Sequence, residues 1–544
     1  MKIKILLVLI VVYPLFFLFQ GGDLTDVGFH CTNYIYFKDL IVNSGNVFYM
    51  MILTNYIGHC WYLLFPKMGL IAFKFLYLIF LYGSLIVSYI ILKFHFKDRQ
   101  YILFGLFFGE VFVTRYTPFV FSYDIASWFF LSLSIMLILY CLKTKQFLLA
   151  LLCGGSVAAA SLCRFPSASA IVIGVLYFNT GNISSIKSKF LYFFTFIFGF
   201  ILIYFLYAAL LDLDLFSLIY SYVTISPHVG GSSFNIFYKY FTEFIVFSLG
   251  LIGLYVLFYL YQKVKSKSNN KIILLFGCFL IIILGSFNFL DPDISSNKVF
   301  GYNSNLKFLV PLFVFFPVLL AFRHKKEHRN LILSIILCGL AQVFGSDTGL
   351  FLKFCFGCML LIPITTIYVF DFKHIQKNNI FKGTREGFVG SLFLILGLCV
   401  LTRFGYVYNV NSGLTVRSSC LDKINHPKMI GILTNYRNAK IIENSLDLNL
   451  LKQENLYVYG HQPLIYYLSE KKPAFYPFWM YNLNANSLIG KLEKLKSLPI
   501  IYNTKEKVFG KKGEVIIANF LRKNEYSLIK NNGYGSLWIP KNIE

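Results

Sequence analysis

GGDLTDVGFHCTNYIYFKDLIVNSGN, Gly21 to Asn46, is a polar and acidic interruption between the first apolar helix of the chain and the next. It places Asp23 and Asp26 just beyond a hydrophobic segment. Charged residues make up only 14% of the 544 residues and are mostly basic, so two carboxylates at this point need a reason. Each has a plain reading as a solvated loop residue, and Asp26 stands where a helix through Phe29 to Leu40 would begin and be capped. The other reading is chemical: a carboxylate at a membrane mouth can take a proton from a substrate.

Outward from that loop, composition sets the class. Hydrophobic residues are 57% of the chain, aromatics 19%, and the mean hydropathy is +0.65, well above an ordinary soluble domain. The chain reads as a polytopic membrane protein. Its net charge of +25 falls in short clusters between apolar runs, which is the pattern that orients helices in a bilayer, so membrane lipids rather than nucleic acid are the expected partner. Of the 11 cysteines most lie inside apolar runs, where a thiol packs as a small hydrophobe. Cys355-x-x-Cys358 is read the same way, as packing.

Met1 to Gln20 carries Lys2 and Lys4 before an apolar stretch, with no small-x-small cleavage site after it, and is expected to be a retained signal anchor with a cytoplasmic N-terminus. Val47 to Phe65, broken by Thr54, Asn55, Gly58 and His59, is expected to lie on the outer face as an interfacial helix. Spans are then expected at Gly69–Lys93, Tyr101–Pro118, Ile125–Leu142, Phe147–Cys163, Ser167–Phe178, Phe190–Leu211, Ile236–Tyr261, Ile272–Leu290, Phe308–Phe322, Leu331–Phe344, Leu350–Phe370 and Gly387–Thr402. With the anchor this gives about 13 spans and places nearly every dense Lys/Arg cluster on one side.

That count divides the chain at 404. Residues 1–404 form the membrane module, and residues 405–544 an extracytoplasmic α/β domain of roughly 140 residues, enough to bury a core. In the tail, a polar helical stretch is expected around His426 to Asn438, a strand at LYVYG (Leu456 to Gly460), a helix in PLIYYLSEK and a strand in SLPIIYN. Further outer loops collect polar residues. RYTPFVFSYD carries Arg115 and Asp124, the CRFPS turn Arg164, and a long loop His228. DPDISSNKVFGYNSNLK carries Lys298, and GSDTG carries Asp347. Asp124 is also readable as a helix cap, Arg115 and Arg164 as side chains snorkelling to headgroups, and His228 and Lys298 as loop residues.

Acidic mouths facing one way, with cations and lipid beside them, suit transfer of a sugar from a polyprenyl phosphate. Such a reaction needs a base for the acceptor hydroxyl and cations for the leaving phosphate. The layout resembles the GT-C superfamily of integral-membrane glycosyltransferases, a membrane all-α bundle with outer-face interfacial helices and a C-terminal extracytoplasmic α/β domain. Its nearest likeness is to lipid A aminoarabinose transferases and, more loosely, protein O-mannosyltransferases. TDVGFHCTN is similar to the first-loop acidic motif of bacterial members, and VYGHQPLIYYLSEKKP to a strand followed by Pro-Leu-x-Tyr-Tyr-Leu in their outer domains.

By that resemblance Asp26 matches the catalytic aspartate and Asp124 the second acidic position. Asp26-Val27 stands where many relatives have Asp-Glu, which removes the adjacent carboxylate a metal would use. The expected site is therefore Asp26, Asp124 and Asp23 as the acidic set, with Arg115, Arg164, Lys298 and His228 on the donor phosphate, no metal and no resident cofactor. His30, four residues after Asp26, lacks a third ligand in the sequence for a metal pair. His461, Tyr466 and Tyr467 are expected on the acceptor side. The acceptor is a lipid, a glycan or a protein, and Lys-, Ile-, Asn- and Phe-rich usage points to the inner membrane of a bacterium with the C-terminal domain periplasmic. The alternatives are a transporter or flippase of a lipid-linked glycan and a non-enzymatic envelope scaffold.

Overall fold

The structure is a computed structural model. It describes residues 3–43, 51–115, 117–180, 185–213, 240–253, 306–323, 326–344, 350–370, 406–409, 413–480, 483–504 and 508–541, with a few isolated positions between. The membrane part is built of α1 (Ile3–Leu15), α2 (Asp26–Ile35), α3 (Phe37–Asn43), α4 (Ile52–Leu64), α5 (Leu70–His95), α6 (Arg99–Arg115) and α7 (Tyr123–Thr144). There follow α8 (Phe147–Cys163), α9 (Val172–Thr180), α10 (Ile186–Leu210), α11 (Leu306–Arg323), α12 (Lys326–Val343), α13 (Leu350–Phe354) and α14 (Cys358–Phe370).

Among the described residues three helices, α5, α7 and α10, are long and apolar enough to cross a membrane. At 1.5 Å per residue the 26 residues of α5 span about 39 Å, more than a hydrocarbon core of about 30 Å. The expected count of about 13 is not reproduced. Two of the expected spans, Ile272–Leu290 and most of Gly387–Thr402, lie outside the described residues. Others are short: Phe165 to Ile171 is a 3₁₀ segment leading into the 9-residue α9. Leu350–Phe370 is not one span either. It breaks between α13 and α14 at Cys355-Phe356-Gly357, where Gly357 N–H turns back to the Phe354 carbonyl at 2.9 Å. A Cβ on Gly357 would stand 3.5 Å from the Cα of Gly339, so the break packs against α12 at ordinary van der Waals distance.

The C-terminal region is α/β. Its five-stranded sheet has the order β6-β5-β7-β9-β8, where β1 (Tyr406–Asn409) and β2 (Gly413–Val416) form a hairpin of their own and β3 (Asp422–Lys423) pairs β4 (Leu433–Thr434). In the main sheet β5 (Asn455–Tyr459) runs parallel to β6 (Lys472–Pro473) and β7 (Ile500–Asn503). The hairpin β8 (Tyr526–Asn531) and β9 (Ser536–Pro540) closes the other edge antiparallel. Helices α15 (Tyr436–Asn444), α16 (Leu464–Ser469), α17 (Ala485–Glu493) and α18 (Gly510–Lys523) accompany it. Leu456 through Tyr459 are all buried, as a central parallel strand covered on both faces requires. The helix expected around His426 to Asn438 is instead a 3₁₀ turn, Pro427–Met429, followed by β4 and then α15. His426 is its cap, with Nδ1 accepting Lys428 N–H at 3.1 Å. Gly431 at φ +78° separates turn from strand, which a continuous helix forbids.

The Gly21 loop is the seam between the two parts. Gln20 pairs with Leu433 as an added β-bridge: Gly21 N–H donates to the Leu433 carbonyl and Leu433 N–H to that of Phe19. Asn438 donates to the Gly22 carbonyl, Leu464 N–H to that of Leu24, and the Thr32 hydroxyl to that of Pro463. Gly28 explains how α2 lies so close to α16, since a Cβ there would sit 2.0 Å from the Leu464 nitrogen.

Candidate active site

Asp124 lies in the first turn of α7, behind Ser122, whose extended backbone admits the helix start. Its Oδ2 accepts a hydrogen bond from Lys353 Nζ at 2.5 Å, and its Oδ1 lies 3.4 Å from Arg164 Nε. All three side chains are buried. Arg164 caps the C-terminus of α8 and donates through its terminal nitrogens to the Gln342 and Phe344 carbonyls at the end of α12. Gln342 Nε2 donates to the Ser127 hydroxyl at 2.9 Å, and Ser127 meets Ser167 at 2.8 Å. Four elements therefore fix the two cations, and two cations on one carboxylate leave the triad a net positive charge.

Tyr123 is the platform of this cluster. Lys353 Nζ lies 5.0 Å from its ring centroid and the Arg164 guanidinium 5.7 Å, both cation–π distances. His30 of α2 stands against the same ring, centroids 5.3 Å apart. Asp26, half-buried, begins α2 one turn before His30. Burial, opposed by the nearby Asp124 charge, lowers the His30 pKa to about 4, so its imidazole is neutral at physiological pH.

Asp23 has a different position. Its carboxylate accepts from the Thr25 hydroxyl at 2.8 Å and from Val27 N–H at 3.2 Å. It thus takes the capping job that the sequence offered to Asp26. Asp23 also lines a cavity with Gln20, Lys74, Phe119 and Arg417. Arg115 ends α6 and is buried. His228, Lys298 and Asp347 lie outside the described residues. Tyr466 and Tyr467 are both buried, Tyr466 accepting from Val458 N–H and Tyr467 under the Lys428 ammonium at 4.6 Å. His461 is held through its backbone N–H by Glu506.

The residue that sequence reasoning missed is Lys353. It is a lone charge inside an apolar run, the same signal that singled out Arg115 and Arg164. Its run had been assigned whole to a span.

No family model matches the sequence, and no curated protein sequence does. Solved structures do match in fold. The oligosaccharyltransferase AglB of Archaeoglobus fulgidus, in complex with an inhibitory peptide and a dolichol-phosphate, aligns with 98% of this chain and 74% of its own at 11% identity and a TM-score of 0.50. The Archaeoglobus fulgidus oligosaccharyltransferase tethered to an acceptor peptide aligns over 91% of this chain and 68% of its own, at 11% identity and a TM-score of 0.49. ArnT from Cupriavidus metallidurans bound to undecaprenyl phosphate aligns over 98% and 97%, at 9% and 0.46. The fold is similar to that of the Archaeoglobus fulgidus oligosaccharyltransferase, with a C-terminal α/β region, and three of the described helices are long and apolar enough to cross a membrane.

Proposed function

We propose that the chain transfers a glycosyl unit from a polyprenyl-phosphate donor to an envelope acceptor at the outer face of a bacterial inner membrane. The observation that supports this reading is a buried carboxylate, Asp124, held by two fixed cations beside Tyr123, against whose ring α2 packs through His30, one turn after the half-buried Asp26. Asp26 takes the proton of the acceptor hydroxyl as its oxygen attacks the anomeric carbon. The bond from that carbon to the phosphate oxygen breaks, and its electron pair leaves with the phosphate. Lys353 and Arg164 supply the positive field for the leaving group. Asp124, engaged by both, serves to aim them. A dolichol-phosphate in the AglB complex gives the class of carrier by analogy of fold.

Arg115, Lys298 and His228 remain proposed contributors to the donor phosphate. The C-terminal region, clamped to α2 through Leu464 and Pro463, forms the acceptor side, and the acceptor is a lipid, a glycan or a protein. The test is release of polyprenyl phosphate by the purified protein from a panel of lipid-phosphate sugars. Release of carrier with one donor supports the reading, and none with any donor plus envelope extract favours a transporter or scaffold.

A further inference from the structure

The seam between α2 and α4 encloses polar atoms that the fold leaves unpaired. Gly58 brings the two helices together: a Cβ there would stand 2.4 Å from the Tyr34 ring. His59 Nδ1 donates to the Tyr34 carbonyl at 2.7 Å, which leaves its Nε2 as an acceptor. Asn55, three and four residues before Gly58 and His59, shares the α2-facing side of α4. On α2, His30 and Asn33 are three residues apart on one face, and Phe37 just beyond stacks on the His59 ring at 5.4 Å. His30, Asn33, Asn55 and His59 are all buried. Both amide atoms of Asn33 and of Asn55, His30 Nδ1 and His59 Nε2 have no hydrogen-bond partner among the described residues.

Burying so many unpaired groups is costly, and the cost is returned when they meet water. A contact burdened in this way opens more readily than one whose groups are paired. The two helices are not equally held. α2 is bonded on another side to the C-terminal region, through the Thr32 hydroxyl to the Pro463 carbonyl and Leu464 N–H to that of Leu24. α4 runs instead into a 3₁₀ turn, Pro66–Met68, and Gly69 at φ +59° joins that turn to α5. Leu63 and Leu64 at this end are exposed. The hinge therefore belongs to α4. Next to the seam stands the Asp124 cluster: His30 packs on Tyr123, and Thr54 donates to the carbonyl of Cys163, the residue before Arg164.

We infer that α4 is a gate beside that cluster, swinging from α2 about the Pro66–Gly69 turn and admitting water and polar solutes past Asn33 and Asn55. The inference rests on the packing of the seam and not on the transfer reaction, so either can fail without the other.

Hydrogen–deuterium exchange of the full chain in detergent, read by mass spectrometry, tests it. Amides of Ile52–Leu64 are expected to exchange about tenfold faster than those of α2 across the seam. Asn33→Leu combined with Asn55→Leu puts apolar groups of similar size in place of the unpaired amides. It should slow exchange in α4 about tenfold and leave the melting temperature equal to the wild type or higher. Asn55→Asp, which adds a buried charge at the same size, should move exchange in α4 about tenfold the other way with α5 unchanged. That variant carries the comparison if the double one does not fold. Protection of α4 equal to that of α2 in the wild type, or wild-type exchange of α4 in the folded variants, would overturn the inference.

Discussion

Lys353 Nζ lies 2.5 Å from Asp124 Oδ2, across the join between a five-residue helix and the first turn of a membrane helix 229 positions earlier. A buried pair is costly to form and far costlier to break, because the surviving partner is left charged in a medium that cannot solvate it. Its presence beside Tyr123, with Arg164 on the same carboxylate, argues for a function that needs a fixed cation there.

Lys353→Met should strand Asp124 with Arg164 alone and cost about 3 kcal/mol of stability, the low end for breaking a buried pair. Lys353→Met combined with Asp124→Asn should recover most of that loss without recovering turnover. Thermal melting beside a donor-release assay checks both halves. A double variant as unstable as the single one would show that the pair is not the source of the loss.

Asp124→Asn alone should lower turnover by about 10²-fold, since it releases the aim of both cations without removing either. Arg164→Lys should be less damaging than Arg164→Met but still impaired, because a lysine cannot reach Asp124 and the Gln342 and Phe344 carbonyls together. Initial rates at saturating donor decide this.

His30 sets an acid limit. Its folded pKa of about 4 lies below the free value of 6.5, so between those values the unfolded chain binds a proton that the folded one refuses. Stability therefore rises with pH through that window and is lost as pH falls from 6.5 toward 4. His426, also lowered to about 4 by burial, acts in the same direction. Melting temperatures of His30→Gln from pH 7 to 4 should fall less steeply than those of the wild type, and a parallel slope would remove His30 from the account.

Gly28 permits the contact of α2 with α16, so Gly28→Val should cost about 1–3 kcal/mol and displace Asp26. Limited proteolysis should then cut the chain more readily between the helices and the C-terminal sheet. Unchanged proteolysis with unchanged turnover would mean that α2 is positioned from the membrane side alone.

On the proposed reading Lys353 and Arg164, sharing Asp124, bring net positive charge to the leaving phosphate in place of a divalent ion. Turnover is accordingly expected to survive chelation. Loss on adding a chelator, restored by magnesium or manganese, would contradict the cationic roles given to these two residues.

The apolar runs at α5, α7 and α10 were legible because hydropathy over about 20 residues is a local signal. So was the α/β tail, whose β5 and α16 fall where LYVYG and PLIYYLSEK place them. Asp26 and Asp124 stood out for their rarity, and Arg164 for its cost near hydrocarbon. What no local pattern carries is pairing: that Arg164 and Lys353 converge on Asp124 depends on how α8 and α13 pack against α7. The division of labour between Asp23 and Asp26 was equally hidden, since Asp23 lies three residues before α2 and Asp26 begins it, and only the backbone path shows that Asp23 accepts the Val27 N–H. The break at Cys355 to Gly357 was missed because no proline marks it and the whole segment reads as one apolar run.

The most direct measurement is release of polyprenyl phosphate by the purified wild type beside Asp26→Asn, with a panel of lipid-phosphate sugars. The account predicts release from one donor and a loss of about 10²-fold or more in the variant, with its melting temperature and carrier binding preserved. Full turnover in Asp26→Asn would contradict the assignment of Asp26 as the base.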